Sequence, residues 1–203
     1  MTENDILWQP SAERAAASAL ARFASTAGYA PADYRGLHRW SVDAPDRFYG
    51  RLWDFLGIVG HKGSIAVAPE ASLRGVRFFP EARLNYAENL LREPDDRLAI
   101  IAHRDDGTRR TLTRRELHDL VSRAAQALRT EGIGPGDRVA AIVTNDIETI
   151  ALYLATAAVG AIWASCSPDF GPAGASDRLA QIAPKLLVAV PSYGYGGKRF
   201  DVT

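Results

Sequence analysis

Two patterns of apolar positions divide the chain, one spaced as on helices and one gathered into short continuous runs. In the first pattern, Ala16, Leu20, Phe23, Ala24 and Ala27 recur three or four residues apart after Pro10-Ser11, and Gly28 offers a stop. The spacing predicts a helix. A second is expected from near Asp43, with Pro45 in its first turn, where a missing N–H does no harm, and with Phe48, Leu52, Phe55 and Leu56 on one stripe before Gly57. A third, short helix is expected over Asn85 to Leu91, ended by Glu93-Pro94 because a residue before proline is pushed out of helical geometry. Up to about residue 92 nothing alternates as a strand would. These helices, with Tyr49 and Trp53 beside their stripes, are therefore expected to lay their aromatic faces on a neighbouring body.

After Pro94 the pattern changes. LAIIAH at 98–103 and TRRTLT at 108–113 flank Asp105-Asp106-Gly107, which reads as a hairpin because glycine tolerates the positive φ such turns need. Thr113 stands three residues before Glu116, the spacing of a capping box, and Leu117, Leu120, Val121, Ala124, Ala125 and Leu128 carry a long helix down to a turn rich in glycine, Gly132 to Asp137. Strand and helix then alternate: RVAAIVT at 138–144, a helix from Ile147 to Ala158, AIWAS at 161–165, a helix from Ser176 to Ile182, and KLLVAV at 185–190. Continuously apolar strands are what a sheet covered on both faces requires. The expected class is α/β, with a small helical N-terminal region over 1–92 and a partial doubly wound parallel sheet with a β-hairpin over 93–203.

Charge and composition narrow the function. Lys plus Arg balances Asp plus Glu at 24 each, so no net field gathers nucleic acid or an anionic membrane, and no run of about 18 apolar residues could span a bilayer. One cysteine, Cys166, excludes a disulfide framework and fits a reducing compartment, and MTENDILWQP lacks the layout of a secretory signal. A cytoplasmic protein is expected.

Several tempting motifs fail on physical grounds. Gly132, Gly134 and Gly136 precede a strand, whereas a dinucleotide fingerprint follows one and opens a helix. Gly196-Gly197-Lys198 lacks the P-loop's earlier glycine, since Ser192 holds that place, and has Arg199 where Ser or Thr is needed. Cys166 follows a strand but has no neighbouring base in sequence, and His38, His61, His103 and His118 are scattered, so an inert thiol and no metal site are expected. Trp8, Trp40, Trp53 and Trp163 read as packing residues, and Arg109-Arg110 and Arg114-Arg115 as a solvated face.

Three stretches go beyond generic patterning. RFFPEARLNYAENLL at 77–91 resembles the end of the N-terminal cap of acetyl-CoA-synthetase-like enzymes. LTRRELHDLVSRAAQALRTEGIGPGDRVAAIVTND at 112–146 resembles the first subdomain of adenylate-forming synthetases. AAVGAIWASCSPDFG at 157–171 is similar to acetoacetate-CoA ligases, in which Ser165 to Gly171 replaces a glycine-phenylalanine loop. The resemblance implies a cap over 1–92 and the first part of an AMP-binding domain over 93–203. It implies a ligase that joins acetoacetate, or another short acyl carboxylate, to CoA at the expense of ATP, with Mg²⁺ and through an acyl-adenylate. The phosphate loop, the ribose-binding aspartate and the mobile lysine of that family are expected beyond Thr203, so the chain reads as interrupted, inactive alone and binding no cofactor tightly. By the same resemblance Pro168, Asp169 and Phe170 form one wall of a CoA groove. On the next loop Tyr195 stands where an arginine is expected, and Lys198 is left to meet a phosphate. Three other readings stand beside this one: a non-catalytic CoA-binding or interaction module, the same part of an acetyl- or propionyl-CoA synthetase, and an unrelated small enzyme using Cys166.

Overall fold

A computed structural model describes residues 8–70, 72–104 and 106–202. These form two compact units, Met1–Leu84 and Asn85–Thr203.

In the first unit the opening alanine-rich stretch breaks into α1 (Ala12–Ala16) and α2 (Ala19–Thr26), because Ser18 turns extended and its hydroxyl accepts the Ala21 N–H as a new N-cap. α3 (Tyr34–Asp43) has no counterpart in the sequence reading; its polar faces hide a stripe made of little more than Leu37 and Trp40. α4 (Pro45–Leu56) begins at its proline and ends at Gly57, whose φ of 58° is the left-handed cap that glycine supplies most easily. Phe23, Ala24 and Leu37 are buried, with Tyr29, Trp40, Phe48, Leu52 and Phe55 packed round them. Ring centroids lie 5.4 Å apart for Phe23 and Phe48 and 5.2 Å for Phe23 and Phe55. The aromatic stripes thus find one another, correcting the expectation that they must bury elsewhere. A strand pair is present as well: β1 (Val67–Ala68) runs antiparallel to β2 (Arg77–Phe78), where no strand was expected.

The second unit opens with α5 (Tyr86–Leu91), N-capped by Asn85, whose amide also donates to the carbonyls of Ala157 and Ala158. This helix, placed by sequence before a boundary near residue 92, packs here through the buried Ala87 and through Leu91. β3 (Leu98–His103) and β4 (Arg109–Thr113) form the expected antiparallel hairpin; Asp105 of its turn lies outside the described residues. Thr113 and Glu116 close the capping box in both directions and start α6 (Arg114–Thr130). β5 (Arg138–Ile142), α7 (Ile147–Ala158) and β6 (Ile162–Cys166) follow close to their expected bounds. α8 spans Gly171–Ala180, five residues ahead of expectation, since Pro172 suits a first helical turn. β7 (Leu186–Ala189) completes a parallel sheet of order β6-β5-β7.

Val139, Ala140 and Ala141 of β5 are fully buried, as a central strand demands. In register, Val139 stands beside Trp163 and Leu186 and faces the core of α6 and α7. On the opposite face Ala140 is buried but the residues of the two flanking strands are poorly covered: Ile162 is 53% and Leu187 54% exposed. Exposed apolar surface on a sheet invites association. The chain is expected to self-associate on size-exclusion chromatography, and the double variant Ile162→Thr, Leu187→Lys to shift toward monomer; an unchanged elution would contradict this.

Acidic and basic side chains tie the hairpin to α7. Asp146 caps the Ile147 N–H at 2.8 Å and pairs with Arg104 and with Arg110 at 3.6 Å, while Arg110 also grips Glu148 at 2.6 Å. Arg110 therefore has partners, although it is exposed as the sequence suggested. Burial pushes the Asp146 carboxyl up, but the Ile147 N–H and the two arginines outweigh it and hold it below the ordinary range. A depressed carboxylate contributes stability above its unfolded pKa and loses it as pH falls through the folded value, here below about pH 4. Asp146→Asn keeps the cap and removes the ion pairs. It should lower stability to urea by about 1 kcal/mol at neutral pH, the arginines being partly solvated, and by progressively less as pH falls below about 4. A deficit independent of pH would contradict this account.

Candidate functional site

The strand order decides where a site can form. β5 and β6 are neighbours, but the chain then crosses back over β5 to lay down β7, so the crossovers diverge and leave an opening at the C-terminal strand ends. The loops after β6 and β7 reach that end. The glycine turn at 132–137 lies at the other end, where Asp137 accepts the Gly134 N–H at 2.9 Å and pairs with Lys185 at 2.9 Å, so it is a closed structural turn.

After β6 the chain forms a 3₁₀ turn, Pro168–Phe170, started by Ser167, whose hydroxyl donates to the Asp169 carboxylate at 3.0 Å. Pro168 is buried and shapes the turn. Asp169 and Phe170 face outward, Phe170 half-exposed. Over the Phe170 ring, 4.0 Å from its centroid, lies the Arg178 guanidinium of α8.

After β7 comes not the simple loop expected from sequence but a second hairpin, β8 (Ser192–Tyr195) and β9 (Lys198–Asp201). Gly196 and Gly197 make its two-residue turn with φ of 56° and 73°, values that favour glycine at both places. A Gly-Gly pair between SYGY and KRFD is the signal that could have revealed it. Tyr193 pairs with Phe200 and Tyr195 with Lys198, so these four side chains share one face of the ribbon. Arg199 points to the other face. Tyr193 and Phe200 stack with centroids 5.3 Å apart, and Tyr195 and Phe200 remain 66% and 40% exposed. Among the described residues Lys198 has no ion-pair partner.

One contact joins the two loops. The Tyr193 phenol approaches Asp169; burial first, then this carboxylate, push it above its ordinary pKa. The ribbon face bearing Tyr195 and Lys198 therefore lies beside the turn bearing Asp169 and Phe170. Flat aromatic faces beside unpaired cations suit a phosphorylated aromatic ligand, the rings for stacking and the cations for phosphate oxygens.

Two other features offer less. Cys166, half-buried at the end of β6, has no hydrogen-bonded base among the described residues. A cleft of about 630 Å³ in the first unit is lined by Trp40, Asp46, Arg51, Asp54 and Lys62 among others. Several of its polar groups are already engaged: Asp46 accepts the Ala66 and Val67 N–H groups, Lys62 holds Asp54 at 2.7 Å, and Arg51 donates to the Thr26 carbonyl. No three His, Cys, Asp or Glu residues gather as a metal site among the described residues, and no described helix is long and apolar enough to cross a membrane.

Comparison with known proteins adds a family. Residues 86–201, more than half the chain, match the family described as AMP-binding enzyme. The acetoacetyl-coenzyme A synthetase of Rhizobium meliloti is 48% identical over 200 residues, covering 97% of this chain and 31% of that protein. A malonamoyl-CoA synthetase of Penicillium aethiopicum is 37% identical, covering 96% of this chain and 28% of its own length. The solved acetoacetyl-CoA synthetase of Streptomyces lividans superposes with a TM-score of 0.86 at 36% identity, over 98% of this chain and 32% of that one. The chain thus spans about a third of the length of the relatives it matches.

Proposed function

The chain belongs to the AMP-binding enzyme family, and from that premise we propose that it is the leading portion of an ATP-dependent acetoacetate-CoA ligase, residues 168–170 and the β8–β9 ribbon forming one side of its CoA groove. The observation that carries the groove is the approach of the Tyr193 phenol to Asp169, which sets the β8–β9 ribbon bearing Tyr195 and Lys198 beside the 168–170 turn at the C-terminal end of a parallel sheet. The residues fit CoA in kind: Phe170 and Tyr195 offer ring faces to its adenine, and Lys198 offers a cation to its phosphates. The acyl group is read from likeness alone. A 48% identical acetoacetyl relative supports acetoacetate, and the malonamoyl relative shows that this architecture accompanies other acyl groups. ATP and Mg²⁺ belong to the reaction so proposed, and no cluster among the described residues suits the metal, so its ligands would come from the rest of the enzyme. Acetoacetate, ATP and CoA are its small-molecule partners, and the cytoplasm is its compartment, in keeping with a single unpaired cysteine.

The groove is tested by titrating isotopically labelled chain with CoA and mapping shifted amide resonances. Shifts should concentrate at 168–170 and 195–198. Shifts confined to the first unit, or none at all, would contradict the assignment.

A further inference from the structure

Building on the proposed groove, we infer that Arg178 is a phosphate-binding residue of that groove and supplies the cation missing where Tyr195 stands. The sequence reading passed Arg178 over because it lies on a helix, eight residues after Phe170, and belongs to no motif. The fold brings the two together: α8 turns back beside the 3₁₀ turn, and the Arg178 guanidinium lies 4.0 Å from the centre of the Phe170 ring. One of its nitrogens donates to the Gly174 carbonyl at 2.9 Å, the next turn of the same helix. The planar group is therefore held at one edge and across one face, while its remaining N–H groups are uncommitted.

Two further observations separate this arginine from an ordinary surface cation. No carboxylate lies within ion-pairing distance of it among the described residues, unlike Arg97, Arg104, Arg110, Arg114 and Arg115; Arg109, Arg123, Arg129 and Arg199 share that lack, but of these cations Arg178 is the one seated over an aromatic ring. Phe170 is itself half-exposed and one contact away from the ribbon, through Asp169 and Tyr193. A guanidinium oriented by stacking loses little freedom on meeting an anion, and its fork matches two phosphate oxygens, which a lysine cannot do. Arg178 and Lys198 then give the surface two cations against the carboxylate of Asp169, which already accepts the Ser167 hydroxyl. That balance favours a ligand carrying phosphates.

The test uses the whole 203-residue chain and two ligands, CoA and adenosine, the second sharing the adenine ring that Phe170 would stack but lacking every phosphate. Ligand-observed NMR titration reads weak binding of both. Arg178→Gln should weaken CoA about 10- to 100-fold, the worth of a charged hydrogen-bonding pair, and leave adenosine unchanged. Arg178→Lys, which keeps charge and helix, should recover part of the loss. Equal CoA affinity in wild type and Arg178→Gln would overturn the assignment and leave the groove standing. Equal weakening of CoA and adenosine would also overturn it, because that is the signature of Arg178 merely supporting Phe170. Failure of the wild type to bind CoA would remove the groove and this inference together.

Discussion

Replacing Val139 with aspartate is expected to unfold the second unit. Val139 is fully buried on the central strand, between Trp163 and Leu186 in register and against the core of α6 and α7. The adjoining Ala140 and Ala141 are equally buried, so no small rotation brings a new carboxylate to water. An unpaired charge in such a place costs several kcal/mol even after relaxation, against a total stability of about 5–15 kcal/mol for a domain. Val139→Ala, which only removes volume, should cost roughly 1–3 kcal/mol and retain cooperative unfolding. Near-ultraviolet circular dichroism and urea titration distinguish the outcomes. A wild-type midpoint for Val139→Asp would mean that β5 is not the centre of a covered sheet.

Phe23→Ala should have the second largest effect, in the first unit. Phe23 is 3% exposed and touches Trp40, Phe48 and Phe55, drawing together α2, α3 and α4. Truncating a buried phenylalanine costs about 3–5 kcal/mol, lost burial and residual cavity combined. Amide exchange across those helices should then accelerate by about 10²- to nearly 10⁴-fold, since protection follows local opening free energy. Unchanged protection would show that the aromatic faces take their stability from some source other than one another.

Elements whose signals are local were legible in the sequence. α7 and the three parallel strands announce themselves as apolar runs of the right length, and Thr113 with Glu116 marks the start of α6 through side chains three residues apart. What was missed depends on contacts between distant positions or on weak stripes. α3 presents only Leu37 and Trp40 to the core, too few for a helical period to stand out. The aromatic stripes of the first unit were recognised, but their partner is each other, a matter of three-dimensional packing. Phe170 and Lys198 came from family resemblance, whereas Tyr193 and Arg178 did not. Tyr193 meets Asp169 only because β7 crosses back over β5, and Arg178 meets Phe170 only because α8 turns back beside it. The Gly196-Gly197 turn of the β8–β9 hairpin was legible, but SYGY and KRFD beside it carry too few apolar residues to stand out as strands.

The central claim is that this chain does the work of the leading part of an acetoacetate-CoA ligase. It is tested most directly by a chimera in which the chain replaces the matching portion of the Rhizobium meliloti relative, assayed for acetoacetate-dependent pyrophosphate release and thioester formation with ATP and CoA. The chimera should turn over within about tenfold of its parent, equivalent to roughly 1.4 kcal/mol in the barrier, and the 203-residue chain alone should release none. A folded chimera without activity, or turnover of acetoacetate by the chain unaided, would contradict the account.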